Sequence, residues 1–179
     1  MGADQNRFLR EGGDVDMELL TARLTGIRRT VVVGLLLWLV VGTVKTYPFY
    51  LAYFNELIGG PGNGYKYLSA SNLDWGQDLN GLSTYLHRNG IARVKLAYFG
   101  TDDPRRYGIT YEPLLPGRPT TGDLAVSVTS FVGTHTGCER AFEWLRGYEP
   151  SAKIGYSIFV YHIPASASLP PAVPLQECK

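Results

Sequence analysis

Hydrophobic and polar positions divide the chain into four regimes. Residues 1–29 are polar and charged. Residues 30–44, TVVVGLLLWLVVGTV, carry no charge at all. An aromatic stretch, TYPFYLAYFNEL (46–57), follows Lys45. Beyond it, apolar positions alternate as in a soluble domain until a Pro/Ala tail, PASASLPPAVPLQECK (164–179).

The fourth regime predicts a succession of short elements. YKYLSAS (65–71) reads as a strand. Residues 75–89 read as a helix with Leu79, Leu82 and Leu86 on one face and Gly90 as its stop. RVKLAYFG (93–100) is the next strand, followed by the turn TDDPRRYG. LAVSVTSFV (124–132) is another strand. CERAFEWLRG (138–147) reads as an amphipathic helix with Ala141, Phe142 and Leu145 on one face. Thr136 and Glu139 stand at capping-box spacing before it. KIGYSIFVYHI (153–163) is a final strand, continuous enough for the middle of a sheet. This alternation predicts an α/β domain with a small, mostly parallel sheet, flanking helices and right-handed crossovers. One transmembrane helix is expected to precede it.

In a helix, the uncharged run covers about 22 Å at 1.5 Å per residue, short of the roughly 30 Å hydrocarbon core of a bilayer. Continuation through Phe54 would close the gap and set Tyr47, Tyr50 and Tyr53 at the interface. Lys45 would snorkel along its own stem. The expected organisation is a cytoplasmic leader (1–29), a membrane anchor (30–54), an extracytoplasmic domain (55–164) and a disordered tail (165–179). A buried core helix is the competing reading of the same run. A cleavable signal fits less well, because the polar leader is long and no small-x-small site closes the run. Arg23, Arg28 and Arg29 precede the run and Lys45 stands almost alone after it. The positive-inside rule then places the N-terminus in the cytoplasm.

At 179 residues, the chain has room for one domain with appendages. A net charge of +1 without a dense Lys/Arg stripe argues against a nucleic-acid partner. Cys138 and Cys178 would lie in an oxidising compartment, where a disulfide is possible. His135-x-x-Cys138 offers two ligands where a closed zinc site needs four, so no metal and no cofactor is expected.

The densest polar cluster is SNLDWGQDL (71–79). Asp74 has the type and position of a helix N-cap, with Gln77 as its capping-box partner and Asp78 in the first turn. The same residues also suit a ligand. Asn72, Asp74, Asp78 and, from the next loop, Asp102 can hydrogen-bond sugar hydroxyls, and Trp75 offers an apolar platform. Asp74 and Asp78 have no evident nucleophile with which to share acid–base work, so no catalytic residue is assigned. The oxygen ligands fall short of the six to eight that Ca²⁺ takes. GGPGNG (59–64) lacks the Lys-Ser/Thr ending of a phosphate loop.

YFNELIGGP (53–61) with SNLDWGQDL resembles a specific family. Together with VKLAYFGTDDPRRYGI, LAVSVTSFVG and YEPSAKIGYSIFVYHIP, it looks like the C-terminal extracytoplasmic region of bacterial family 39 glycosyltransferases. These are polytopic membrane enzymes akin to dolichyl-phosphate-mannose protein mannosyltransferases. The resemblance covers about residues 35–164. It implies the bacterial plasma membrane, a polyprenyl-phosphate sugar as donor and a polytopic partner carrying the catalytic half. The family's catalytic Asp lies in an earlier extracytoplasmic loop, and no residue of this chain matches it. Ala70 stands where the family usually has Asp, and Tyr47 and Tyr50 where a His is common. The chain is therefore expected to be a C-terminal fragment or subunit of such a transferase, inactive alone. A membrane-anchored carbohydrate-binding module and a purely structural module are the alternatives.

Overall fold

The computed structural model describes residues 3–68, 73–133 and 140–173. It divides into two units, Met1–Lys45 and Thr46–Lys179.

The first unit is one helix, α1 (Ala3–Thr46). Its segment Ala22–Thr46 is long and apolar enough to cross a membrane by length and composition. Those 25 residues cover about 37 Å at 1.5 Å per residue, which exceeds a bilayer core. The length comes from the N-terminal side, through Arg23, Arg28 and Arg29, and not from the aromatic stretch. The expected continuation to Phe54 does not occur. Pro48 disfavours the α conformation in the residue before it, and the helix ends at Thr46. Leu35, Leu37 and Val44 on α1 are exposed. The hydroxyls of Thr30 and Thr43 donate to the carbonyls of Gly26 (3.1 Å) and Leu39 (2.8 Å), so both bond within the helix.

The second unit contains a five-stranded sheet. Its strands are β1 (Val94–Ala97), β2 (Tyr111–Pro113), β3 (Gly122–Ser127), β4 (Ala152–Ile154) and β5 (Ile158–Ile163), in the order β2-β1-β3-β5-β4. β1 is parallel to β2 and to β3, whereas β5 is antiparallel to both β3 and β4. The sheet is therefore mixed, not mostly parallel. The expected single strand 153–163 is two strands, because Gly155 and Tyr156 both have positive φ (55° and 65°) and reverse the chain. Ser157 N–H donates to the Ile154 carbonyl at 3.0 Å to close this hairpin turn.

Alternation along the strands separates two apolar layers. Leu79, Leu82 and Leu86 of α2 (Leu79–Arg88) pack with Val94, Leu96, Ala125, Ile158 and Val160 on one face. Each fully buried leucine stabilises the fold by about 1.5–3 kcal/mol. Helix α2 ends as expected at Gly90. The Gly90 and Ile91 N–H groups donate to the His87 (3.2 Å) and Leu86 (2.9 Å) carbonyls, a Schellman stop. On the other face, Leu124, Val126, Phe159, Tyr161 and Ile163 meet Phe131, Ala141, Phe142 and Leu145.

Three further expectations change in this second layer. Residues 65 and 66 close a 3-10 helix, Pro61–Lys66, instead of opening a strand. Gly64 lies against the Phe54 ring, where a Cβ has no room. The strand from 124 stops at Ser127, and Val128–Val132 forms the short helix α3. The expected helix at 138–147 is a 3-10 helix at Glu143–Gly147, preceded by the i,i+3 ion pair Arg140–Glu143 at 2.9 Å. Its expected cap pair, Thr136 and Glu139, lies outside the described residues, as do Cys138 and Cys178.

Candidate functional site

The structure takes the predicted cluster apart. Asn72 lies outside the described residues. Asp74, Trp75, Asp78 and Asp102 have separate environments.

Asp74 is buried and does not cap α2. Its Oδ1 accepts from the Gly76 N–H at 2.9 Å, and its Oδ2 accepts from the Thr129 N–H at 3.4 Å. Thr129 lies in the first turn of α3, so Asp74 places negative charge at the start of that helix. Burial raises the Asp74 pKa, opposed by the bonds from Gly76 and Thr129. Gln77 is not a capping-box partner either. Its Oε1 accepts from the Trp75 N–H (2.8 Å), and its Nε2 donates to the Leu73 carbonyl (3.2 Å) and to Asp78 Oδ2 (3.4 Å).

Asp74 sits at the carboxyl end of β3, the edge where parallel strands expose binding loops. The adjoining end of β1 is tied to the same place. Phe99 N–H donates to Ser127 Oγ at 3.0 Å, and the Tyr98 hydroxyl donates to the Gly76 carbonyl at 2.9 Å. Gly76 has φ +77°, and a Cβ there would meet the Tyr98 hydroxyl and the Phe99 carbonyl. The loop 73–78 thus fills the strand edge itself. The Tyr98 pKa is pushed up to about 12, by burial first and then by Asp102, Asp74 and Tyr107.

Asp102 belongs to the neighbouring loop. It accepts from the Tyr107 hydroxyl at 2.7 Å and lies 3.7 Å from Arg106. The Tyr107 bond, then the Asp103 N–H, holds its pKa below the usual carboxylate value. Trp75 is 62% exposed.

Asp78 is the member of the cluster that faces a hollow. It precedes α2 in the chain, makes no side-chain cap bond and accepts from the Ser157 hydroxyl at 2.5 Å. Burial raises its pKa, opposed by Ser157. The hollow, about 260 Å³, is walled by Pro48–Ala52, Gln77, Asp78 and Gly155. A Cβ on Gly155 would collide with the Asp78 carboxylate. Phe49 meets the Tyr156 ring edge-on, with centroids 6.0 Å apart. A carboxylate, a carboxamide and aromatic walls are groups that hold hydroxylated rings. Ser157, Gly155 and Phe49 were not among the residues singled out in the sequence. The glycine interrupting a strand pattern in KIGYSIF was the available signal.

No group of three or more His, Cys, Asp or Glu residues suited to a metal occurs among the described residues. No protein-family model, curated protein or solved structure matches this chain.

Proposed function

We propose that this chain is a membrane-anchored, sugar-binding part of a polyprenyl-phosphate-sugar-dependent glycosyltransferase, inactive alone and completed by a polytopic catalytic partner. The observation that carries the reading is the hollow at Asp78. It is walled by residues 48–52 and 77–78, both inside the stretch that resembles the family 39 extracytoplasmic region. The apolar segment of α1 supports an anchor, and Arg23, Arg28 and Arg29 at its N-terminal end support a cytoplasmic N-terminus in the bacterial plasma membrane. In this reading Asp78 and Gln77 hydrogen-bond sugar hydroxyls while Phe49 and Tyr50 cover the apolar ring face. Asp74 and Asp102 shape neighbouring loops, and Trp75 is a second, surface contact.

The test is saturation-transfer NMR on the full chain in detergent micelles with a panel of neutral monosaccharides. Binding that disappears in Gln77→Ala/Asp78→Asn supports the reading. No binding across the panel rejects it. A purely structural module is the second reading, favoured by one observation: Asp74 and Asp78 are both buried and hydrogen-bonded to their own chain.

A further inference from the structure

A second hollow, about 240 Å³, opens on the sheet face opposite α2. Tyr65, Phe131, Phe159 and Tyr161 wall it, with Arg146 and Lys153 among its lining residues. Both cations are held by aromatic rings. Lys153 Nζ lies 5.2 Å from the Phe159 centroid and 5.6 Å from that of Tyr65. Arg146 Cζ lies 5.3 Å from the Phe131 centroid. Neither makes an ion pair with a carboxylate among the described residues. Lys153 donates once, to the Gly62 carbonyl at 3.3 Å, which leaves two of its three N–H groups.

Tyr161 is the second, independent sign. It is 2% exposed, yet its hydroxyl makes no hydrogen bond among the described residues. The ring is buried, but the hydroxyl is not sealed in with the buried unpartnered polar atoms of the described residues, so it reaches the open space of the hollow that Tyr161 lines. Tyr161 lines the same hollow as Tyr65, Glu149 and Arg146. Burial first, then Tyr65 and Glu149, pushes its pKa up, so it stays a donor. Glu149 subtracts one charge from two, leaving the hollow with a net positive charge.

We infer that this hollow binds a phosphate group, held by the Arg146 guanidinium, the Lys153 ammonium and the Tyr161 hydroxyl. Three donors from three separate segments suit a tetrahedral anion with several acceptor oxygens better than a planar carboxylate. Arginine and lysine are also the side chains that make the strongest charge-assisted bonds to phosphate. The aromatic rings fix both cations before the ligand arrives, which lowers the entropy cost of ordering them. The size admits a phosphate and a small attached group. The site stands apart from the Asp78 hollow and does not depend on its sugar reading.

The experiment is calorimetric titration of the full chain in phosphatidylcholine nanodiscs. The ligands are inorganic phosphate, a hexose 6-phosphate and the parent neutral hexose. A parallel arm doped with phosphatidic acid asks whether a lipid headgroup competes. Saturable binding of the phosphates is expected, weakened at least about tenfold by Arg146→Gln or Lys153→Gln. Tyr161→Phe should weaken it by about three- to tenfold, the worth of one hydrogen bond, without lowering the melting temperature. Competition by phosphatidic acid assigns the phosphate to a lipid headgroup, and its absence assigns it to a soluble ligand. Asp78→Asn, which disables the other hollow, should leave phosphate binding unchanged. Failure of every phosphate to bind overturns the inference, as does wild-type affinity in Arg146→Gln/Lys153→Gln or loss of binding in Asp78→Asn.

Discussion

The Asp74 carboxylate reaches Thr129, 55 residues away in the chain, and accepts its backbone N–H at 3.4 Å. One side chain therefore ties the loop before α2 to the start of α3. Asp74→Ala leaves the Gly76 and Thr129 N–H groups without this acceptor. It should cost about 1–3 kcal/mol, the penalty for unsatisfied buried donors. Asp74→Asn keeps one acceptor oxygen and should cost less. Chemical denaturation of both variants checks the order, and equal stability of Asp74→Ala and wild type would contradict the assignment.

Gly155 and Asp78 are coupled by space. With φ +55° and the Asp78 carboxylate against its Cα, Gly155 admits no side chain. Gly155→Ala should destabilise the domain by about 1–3 kcal/mol through left-handed strain and the collision. Thermal melts of Gly155→Ala and Gly155→Ala/Asp78→Ala separate the two causes. Relief in the double variant reports the collision, and an unchanged melting temperature in the single variant contradicts both.

Two buried carboxyls give stability an unusual acid dependence. Asp74 and Asp78 both have folded pKa values above the ordinary 3.8. The folded state then binds more protons than the unfolded state between 3.8 and those raised values. Their contribution is fully present below 3.8 and is lost as pH rises through the folded pKa. Acidification from neutrality towards pH 3.8 should therefore stabilise wild type relative to Asp74→Asn/Asp78→Asn. Asp102 acts in the other direction. Its lowered pKa gives stability that is present above 3.8 and lost as pH falls through the folded value. Denaturation curves across this range measure the difference. A pH-independent gap between wild type and the double variant would contradict it.

Tyr107 sets the acidity of Asp102 through their 2.7 Å hydrogen bond. Tyr107→Phe removes the donor and should move the Asp102 pKa up towards its ordinary value. NMR titration of the Asp102 carboxyl carbon reads this directly. No movement would show that the Asp103 N–H and Arg106 suffice.

The parts of this fold that depend on local pattern were legible in the chain. The leucine face of α2, its Gly90 stop, the burial of Ala141, Phe142 and Leu145, and the apolar helix follow from spacing and composition. The parts set by distant contacts were not. Asp74 and Gln77 have capping-box spacing, yet Thr129 and the Trp75 N–H claim them. The antiparallel half of the sheet depends on Gly155 and Tyr156, which reverse what reads as one strand. The three-residue edge strand Tyr111–Pro113 is too short to leave a period. Of the predicted ligand residues, Asp78 reached a hollow because Ser157 and Gly155, 79 and 77 positions on, fold back against it.

The Asp78 hollow is the centre of the functional account. Its most direct test is titration of the full chain in nanodiscs with a polyprenyl-phosphate hexose, using polyprenyl phosphate without sugar as control. The account predicts tighter binding of the hexose lipid than of the sugar-free lipid, a difference that Gln77→Ala/Asp78→Asn removes. Equal binding of the two lipids, or undiminished binding by the double variant, would contradict it.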